Sequence, residues 1–476
     1  MHSKRLALAI ALTMSTLPFA TAQAEDLVQT YHMARDGDPR FAAAESQRLV
    51  TQEGEVQARA AKLPQVGGRA GLDWQYNRGS SSQNSTDPIT GARTRISGDS
   101  TSNSRQLSAG VNGSMPLFDK TLDAQIQQAR AMSRAEDYQV EAAGTDLITR
   151  MSAAYFNTLT QLETLSAARA AETATKKQFD FASKRLEVGM APITDVHEAR
   201  AQYENARANT ILARTAVDDA YQSLVEITGT PIRSLNGLPN SWKPTMPEGG
   251  NADAWVATAL ENNPSLLATR SQIDAASAGV DAARAAKLPK VSVNGGFGYQ
   301  RSDGHSDFEG GGVSFRSPID SSGWGPTLGI AVTVPLWTSG LNESRIREAL
   351  ARREVATDQL EAQRRGLVRN TVGAYNRLQA GTSEVEARRL ALVAANEAYE
   401  ASQVGLEVGT RTVLDVLLNQ QNLFNAQRAY AQSKYNFLQS RLLLAQAAGT
   451  LDINDVQAVN RFLTTNVPVN GLLTSP

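Results

Sequence analysis

The sequence predicts an α+β membrane protein made by internal duplication, with long antiparallel helices and four transmembrane β-strands per chain. Three observations point there. The first is the repeat. Q-A-R-A-A-K-L-P-Q-V at 57–66 returns as A-A-R-A-A-K-L-P-K-V at 282–291. L-E-V-G-M-A-P-I-T-D-V at 186–196 returns as L-E-V-G-T-R-T-V-L-D-V at 406–416. The pairs Tyr155/Tyr375, Gly189/Gly409 and Asp195/Asp415 keep one constant spacing. A repeat this long is a duplicated domain rather than a short solenoid unit.

The second observation is period-two patterning in four short runs. Val66, Ala70, Leu72, Trp74 and Tyr76 alternate with Gly67, Arg69, Asp73, Gln75 and Asn77. Leu107, Ala109, Val111 and Met115 alternate with polar or glycine residues. So do Val291, Val293, Phe297 and Tyr299, and then Leu328, Ile330, Val332, Val334 and Leu336. Successive strand side chains point to opposite faces, so each run has one apolar and one polar face. Membrane-barrel strands need about 9–11 such residues. A soluble sandwich uses the same alternation with its apolar face inward. The segments 78–103 and 302–323 are rich in Ser, Asn, Thr and Gly and read as long loops within each strand pair. Long loops at one end favour the barrel. Four strands cannot close one, because the smallest single-chain barrels have about eight. An open edge in lipid would leave N–H and C=O groups unpaired, so the chain is expected to assemble with copies of itself.

The third observation is helix length. Residues 119–187 hold no proline and one glycine. Ile148, Met151, Tyr155 and Leu159 form a narrow seam, and Leu360, Leu367 and Ala374 repeat every seven residues beside Val368, Val372 and Tyr375. Such seams pack helix on helix. A helix of about 65 residues reaches roughly 100 Å. Gly189 and Gly409 suit left-handed C-terminal caps, and new helices are expected from about Thr194 and Thr412. Pro192 fits the intervening turn or the first helical position.

The first residues read as an address. Lys4 and Arg5 precede an apolar run, and Ala22-Gln23-Ala24 resembles a cleavage site, so 1–24 is expected to be a signal peptide. The apolar run is too short for an anchor and Pro18 interrupts it. The expected divisions are a first repeat at 25–230, a linker at 231–251, a second repeat at 252–450 and a tail at 451–476. With no cysteine there is no disulfide, no Cys-based zinc site and no lipid-anchored cysteine. A formal charge of −1 gives no footprint for nucleic acid. No metal spacing, catalytic triad or phosphate loop stands out, so neither an enzyme nor a cofactor is expected. His197 lies near a tip and reads as a solvated surface histidine.

The tip sequences I-T-D-V-H-E-A-R-A-Q-Y at 193–203 and V-G-T-R-T-V-L-D-V-L at 408–417 resemble the TolC-like outer-membrane efflux proteins. The likeness extends over nearly the whole chain after 1–24. It implies a homotrimer with a β-barrel of about twelve strands, four per chain. Below it the resemblance implies a periplasmic α-barrel and an equatorial region around the linker and tail. It implies an exit duct for a tripartite efflux pump or a type I secretion system, in contact with outer-membrane lipid. The partners implied are a periplasmic adaptor and an inner-membrane pump. Thr194, Asp195 and Arg411 match the closing links of the tip, and Asp415 matches an acidic ring. Gly189 and Gly409 fall where an adaptor docks. Leu406 replaces a tyrosine of the closing network, and Leu418 replaces a second acid. Without the repeat position and the resemblance, Asp195 and Asp415 read first as first-turn carboxylates favoured by the helix dipole. The competing function is a structural or adhesive coiled-coil protein, which would not need two equivalent pairs of amphipathic strands.

Overall fold

The computed structural model describes residues 25–86, 89–239, 241–247, 250–310 and 312–469. The expected signal peptide lies outside them. In chain order come α1 (Leu27–Gly37), α2 (Pro39–Ala60), β1 (Gln65–Thr86), β2 (Arg93–Phe118), α3 (Lys120–Glu187) and α4 (Ile193–Thr228). Then follow β3 (Ser234–Gly237), α5 (Ala252–Asn262), α6 (Pro264–Ala285), β4 (Lys290–Gly310) and β5 (Val313–Thr333). The chain closes with α7 (Leu341–Glu407), α8 (Val413–Ala448), α9 (Ile453–Asn460) and β6 (Thr465–Pro468). It divides into two compact units, and each takes segments from both copies of the repeat.

One unit contains 49–134 and 271–358. Its centre is a four-stranded antiparallel sheet in the order β1-β2-β4-β5. The expected long loops are not loops. The first hairpin stays paired as far as Thr86↔Arg93, and the second as far as Gly310↔Val313. Most of 78–103 and 302–323 is therefore strand. The reason is that a polar run carries no alternation signal, yet a ladder already begun still pairs each backbone N–H and C=O. Polar side chains add cross-strand links. Trp74 Nε1 donates to Asn103 Oδ1 at 2.6 Å, and Arg316 donates to both oxygens of Asp307 at 2.6 and 3.0 Å. At its other end β5 stops at Thr333, so Val334 and Leu336, expected in the fourth strand, lie beyond it.

The base of each hairpin carries the same ion pair. Lys62 Nζ meets Asp123 at 2.6 Å, and Lys287 Nζ meets Glu343 at 2.9 Å. Each ties the turn before a strand to the first helical turn after the hairpin. The lysine in each case holds the carboxyl below its usual range. A depressed carboxyl stabilises the fold above its ordinary range and loses that contribution as pH falls through the lowered value.

The other unit contains the described residues up to Arg48, with Ala135–Arg270 and the chain from Gln359 onward. Ile148, Met151, Tyr155 and Leu159 are all buried in one apolar core, as their spacing on α3 predicts. The matching seam on α7 differs: Ala374 is buried, while Leu360, Leu367, Val368, Val372 and Tyr375 are only half-buried. β3 pairs with β6, Ser234 facing Pro468 and Gly237 facing Thr465. Tyr155 fastens this pair to α3: its hydroxyl donates to Asn236 O at 2.8 Å and accepts from Asn236 N at 2.9 Å. Burial pushes that phenol far above its ordinary value. No helix among the described residues is long and apolar enough to cross a membrane.

Candidate functional site

α3 and α4 form one helical hairpin, and α7 and α8 form another. Both tips turn through the same motif. Gly189 N donates to Leu186 O at 2.9 Å and Met190 N to Arg185 O at 2.7 Å. In the second copy Gly409 N donates to Leu406 O at 3.2 Å and Thr410 N to Gly405 O at 2.8 Å. These are Schellman caps, which need a left-handed residue just past the helix. Gly189 has φ +72° and Gly409 has φ +78°. Among the described residues a Cβ on either would meet nothing within 4 Å, so it is the backbone conformation that calls for glycine.

After the turns the two copies diverge. Thr412 is the N-cap of α8 and forms a capping box with Asp415. Asp415 N donates to Thr412 Oγ1 at 3.2 Å, and Asp415 Oδ2 accepts from Thr412 N and Oγ1, both at 2.9 Å. The backbone bond, then the hydroxyl, then the charge of Arg411 hold the Asp415 carboxyl below the usual carboxylate range. In the first copy the N-cap is Pro192, with φ −71° and no side-chain cap. Proline has no N–H to donate. Asp195 therefore has no equivalent bond to close, and its carboxylate is left for another partner. Pro192 stands at the N-cap rather than inside the helix.

Thr194 and Arg411 are exposed, and Asp195 is half-buried in the first turn of α4. Among the described residues no ion pair joins Asp195 to Arg411 within one chain. The Arg411 stem instead lies over Gly405, where an added Cβ would come within 2.6 Å of Arg411 Cγ. Gly405 escaped the sequence reading; its only signal is a glycine one turn before the cap, where the first copy has Arg185. His197 is exposed.

The two hairpins meet near their tips in a separate apolar cluster. Ala182, Ala199, Leu406, Val413, Val416 and Leu417 are buried there, with Phe179, Val196 and Tyr399 packed against them. Leu406 thus serves as a core residue at the tip, while Leu418 is exposed. Among the described residues no cluster of three or more His, Cys, Asp or Glu could hold a metal ion.

The sequence pattern of the family described as outer membrane efflux protein matches residues 30–230 and 255–450. The outer membrane protein TolC of Vibrio cholerae serotype O1 is 30% identical over 457 residues, covering 96% of this chain and 98% of that protein. The alkaline protease secretion protein AprF of Pseudomonas aeruginosa is 27% identical over 91% of this chain and 86% of its own length. Among solved structures, the Campylobacter jejuni CmeC outer membrane channel superposes with a TM-score of 0.70 at 17% identity, over 93% of this chain and 90% of that one. That likeness establishes the fold of such channels. The chain belongs to the outer membrane efflux protein family.

Proposed function

We propose that this chain is the outer-membrane exit duct of an efflux or secretion system. It works as a passive channel that opens at its periplasmic tip when a periplasmic adaptor and an inner-membrane pump dock. One observation carries the reading. A single chain joins an open four-stranded sheet, whose apolar residues Leu72, Trp74, Leu328 and Ile330 are exposed, to two long helical hairpins with charged tips. Lipid suits the exposed apolar face, and the unpaired outer edges call for further copies. The half-buried seam of α7 likewise suits a neighbouring helix. The assembly is a homotrimer with a barrel of about twelve strands. In this reading 1–24 is a cleaved signal peptide, 25–230 and 252–450 are the repeats, and 231–251 with 451–476 form an equatorial segment. The β3–β6 pairing, which joins those two segments, supports the last division. Purified protein in planar bilayers tests the function: discrete conductance steps are expected. Their absence would favour an adhesive or structural role.

Thr194, Asp195 and Arg411 close the tip by linking neighbouring hairpins. The support is that Pro192 leaves the Asp195 carboxylate without a capping role, while Arg411 is exposed at the end of the companion turn. Replacing both Asp195 and Arg411 by Ala should raise single-channel conductance. Conductance equal to wild type in the double variant would remove these two residues from the gate.

Asp415 from each copy forms a ring of like charge at the constriction. Such rings favour cations. Mutual repulsion raises carboxyl pKa values, but the capping box acts the other way and keeps the group charged. Cation selectivity should therefore persist as the pH falls into the ordinary carboxylate range and be lost only beneath it. Asp415→Ala should lose selectivity at every pH. Reversal potentials under a salt gradient decide this, and equal selectivity in both proteins would move Asp415 away from the constriction.

A further inference from the structure

Directly opposite residues of an antiparallel pair share a face, so the sheet register fixes which side chains stand together. One face carries Leu72, Leu107, Val111, Phe297, Leu328 and Ile330, all exposed. Toward the hairpin ends this apolar band finishes in Trp74 and Tyr76 on β1, Tyr299 on β4 and Trp324 on β5. Aromatic girdles of this kind sit where a barrel meets lipid headgroups. Beyond the band, the first charged residue of the same face is an arginine on three strands. Arg78 follows Tyr76 on β1, Arg105 lies past Leu107 on β2, and Arg301 follows Tyr299 on β4. The acids of that face, Asp99, Asp303 and Asp307, lie farther out on their strands. On β5 Ser322 comes first and Asp320 beyond it.

We propose that Arg105 and Arg301 clamp the phosphate of an outer-leaflet lipid whose acyl chains run down the apolar band beside them. The inference rests on the outer-membrane reading above, with the hairpin ends facing the cell exterior, and adds a ligand to it. Three observations carry it. First, the cations at the two ends of the band differ in their partners. At the base Lys62, Lys120, Lys287 and Lys290 each stand 2.6–3.4 Å from a carboxylate. At the hairpin ends Arg301 is 3.8 Å from Asp303 and Arg78 is 3.9 Å from Asp99, beyond hydrogen-bond reach. Arg105 has no ion pair among the described residues, although it stands directly opposite Asp303. Arg316 stands opposite Asp307 in the same way and closes both bonds. Second, Arg105 and Arg301 are exposed diagonal neighbours across the β2–β4 seam, with Leu107 opposite Arg301 and Trp74 opposite Arg105. Such neighbours stand about 7–8 Å apart, so two guanidinium forks can share one phosphate. The seam lies within one chain, so the site does not depend on a neighbouring copy. Third, Asp303 faces Asp320, which places two carboxylates just beyond the arginines. They repel a phosphate held farther out and leave the height of the headgroups as the favoured level. A free phosphate lacks the apolar anchor that the band gives an acylated one.

Native mass spectrometry of the full chain in detergent tests the clamp. The probes are lipid A, which carries phosphates on an acylated disaccharide, the same lipid with its phosphates removed, and inorganic phosphate. Wild type is expected to retain lipid A, and Arg105→Gln with Arg301→Gln to bind it about tenfold more weakly. Arg105→Lys with Arg301→Lys should keep part of the binding, since the charges stay while the forks are lost. Arg316→Gln removes an exposed arginine already held by Asp307 and should leave binding unchanged. Equal binding of lipid A by wild type and the double Gln variant would overturn the clamp. So would equal retention of the dephosphorylated lipid by wild type, or a loss in Arg316→Gln as large as in the double variant. Displacement of lipid A by inorganic phosphate would overturn the assignment to lipid in favour of a free anion. The same preparations in planar bilayers separate this site from the duct. Conductance steps without arginine-dependent lipid binding overturn the clamp alone, and arginine-dependent binding without conductance overturns the duct alone.

Discussion

Replacing Gly409 by Val should abolish export while assembled protein still reaches the outer membrane. At φ +78° the backbone is left-handed, and a β-branched side chain there is a severe outlier. The strain is about 1–2 kcal/mol, enough to shift the tip between conformers by about tenfold. Among the described residues nothing lies within 4 Å of the added Cβ, so the core beneath the turn stays intact. The same argument applies to Gly189, at φ +72°. Gly409→Asn separates two roles. Asparagine accepts the left-handed region, so the Schellman turn survives. If an adaptor backbone lies against Gly409, the Asn side chain obstructs it and export is still lost. Survival of cells on a toxic export substrate, normalised to outer-membrane abundance, is the readout. Normal survival with Gly409→Asn would leave Gly409 as a turn residue only, and normal survival with Gly409→Val would remove the tip from the docking surface.

The largest stability loss is expected from Glu163→Ala. Lys434 on α8 is 2% exposed, and its ammonium sits 3.0 and 3.1 Å from the two oxygens of Glu163 on α3. Tyr435 donates to the same carboxylate at 2.6 Å, and the Lys434 ammonium lies 5.0 Å from the centre of the Tyr430 ring. Burial and then the Glu163 charge push the Tyr435 phenol far above its ordinary value, so it stays a donor. Removing Glu163 strands a buried cation and a buried hydroxyl together. Breaking a fully buried pair costs about 3–5 kcal/mol. The Glu163 side chain keeps 33% exposure, which lowers the expectation to about 2–3 kcal/mol. The measurement is the temperature at which the detergent-solubilised protein loses helical circular dichroism. Glu163→Gln combined with Lys434→Met should recover most of the loss, because no charge is then buried. A Glu163→Ala protein that melts with wild type would show that Lys434 finds another partner.

What the sequence determined by itself was local and periodic. The alternation at 66–77 and 291–300 assigned strand faces, because a strand's side chains repeat every two residues. The seam from Ile148 to Leu159 assigned the buried face of α3, because a helix repeats every 3.6. Gly189 and Gly409 marked the turns, because few other residues accept positive φ. The duplication doubled each of these signals. The box between Thr412 and Asp415, only three residues apart, was also open to sequence reasoning. That box occupies the very carboxylate that the resemblance assigns to the ring, whereas Pro192 releases Asp195.

Only the tertiary structure decided the rest. Most of the polar stretches 78–103 and 302–323 became strand because each found a ladder partner, and pairing of that kind depends on the neighbouring strand. Glu163 and Lys434 are 271 residues apart, so neither residue announces the other in the sequence. Leu406 became a core residue only because Ala182, Ala199 and Val416 converge on it from three other helices. β3 and β6 are too short to stand alone and exist as a pair because Tyr155 holds the Asn236 backbone beneath them. Periodicity encodes which face of an element is apolar. Which distant element covers that face is set by packing, where one residue's burial depends on the placement of many others.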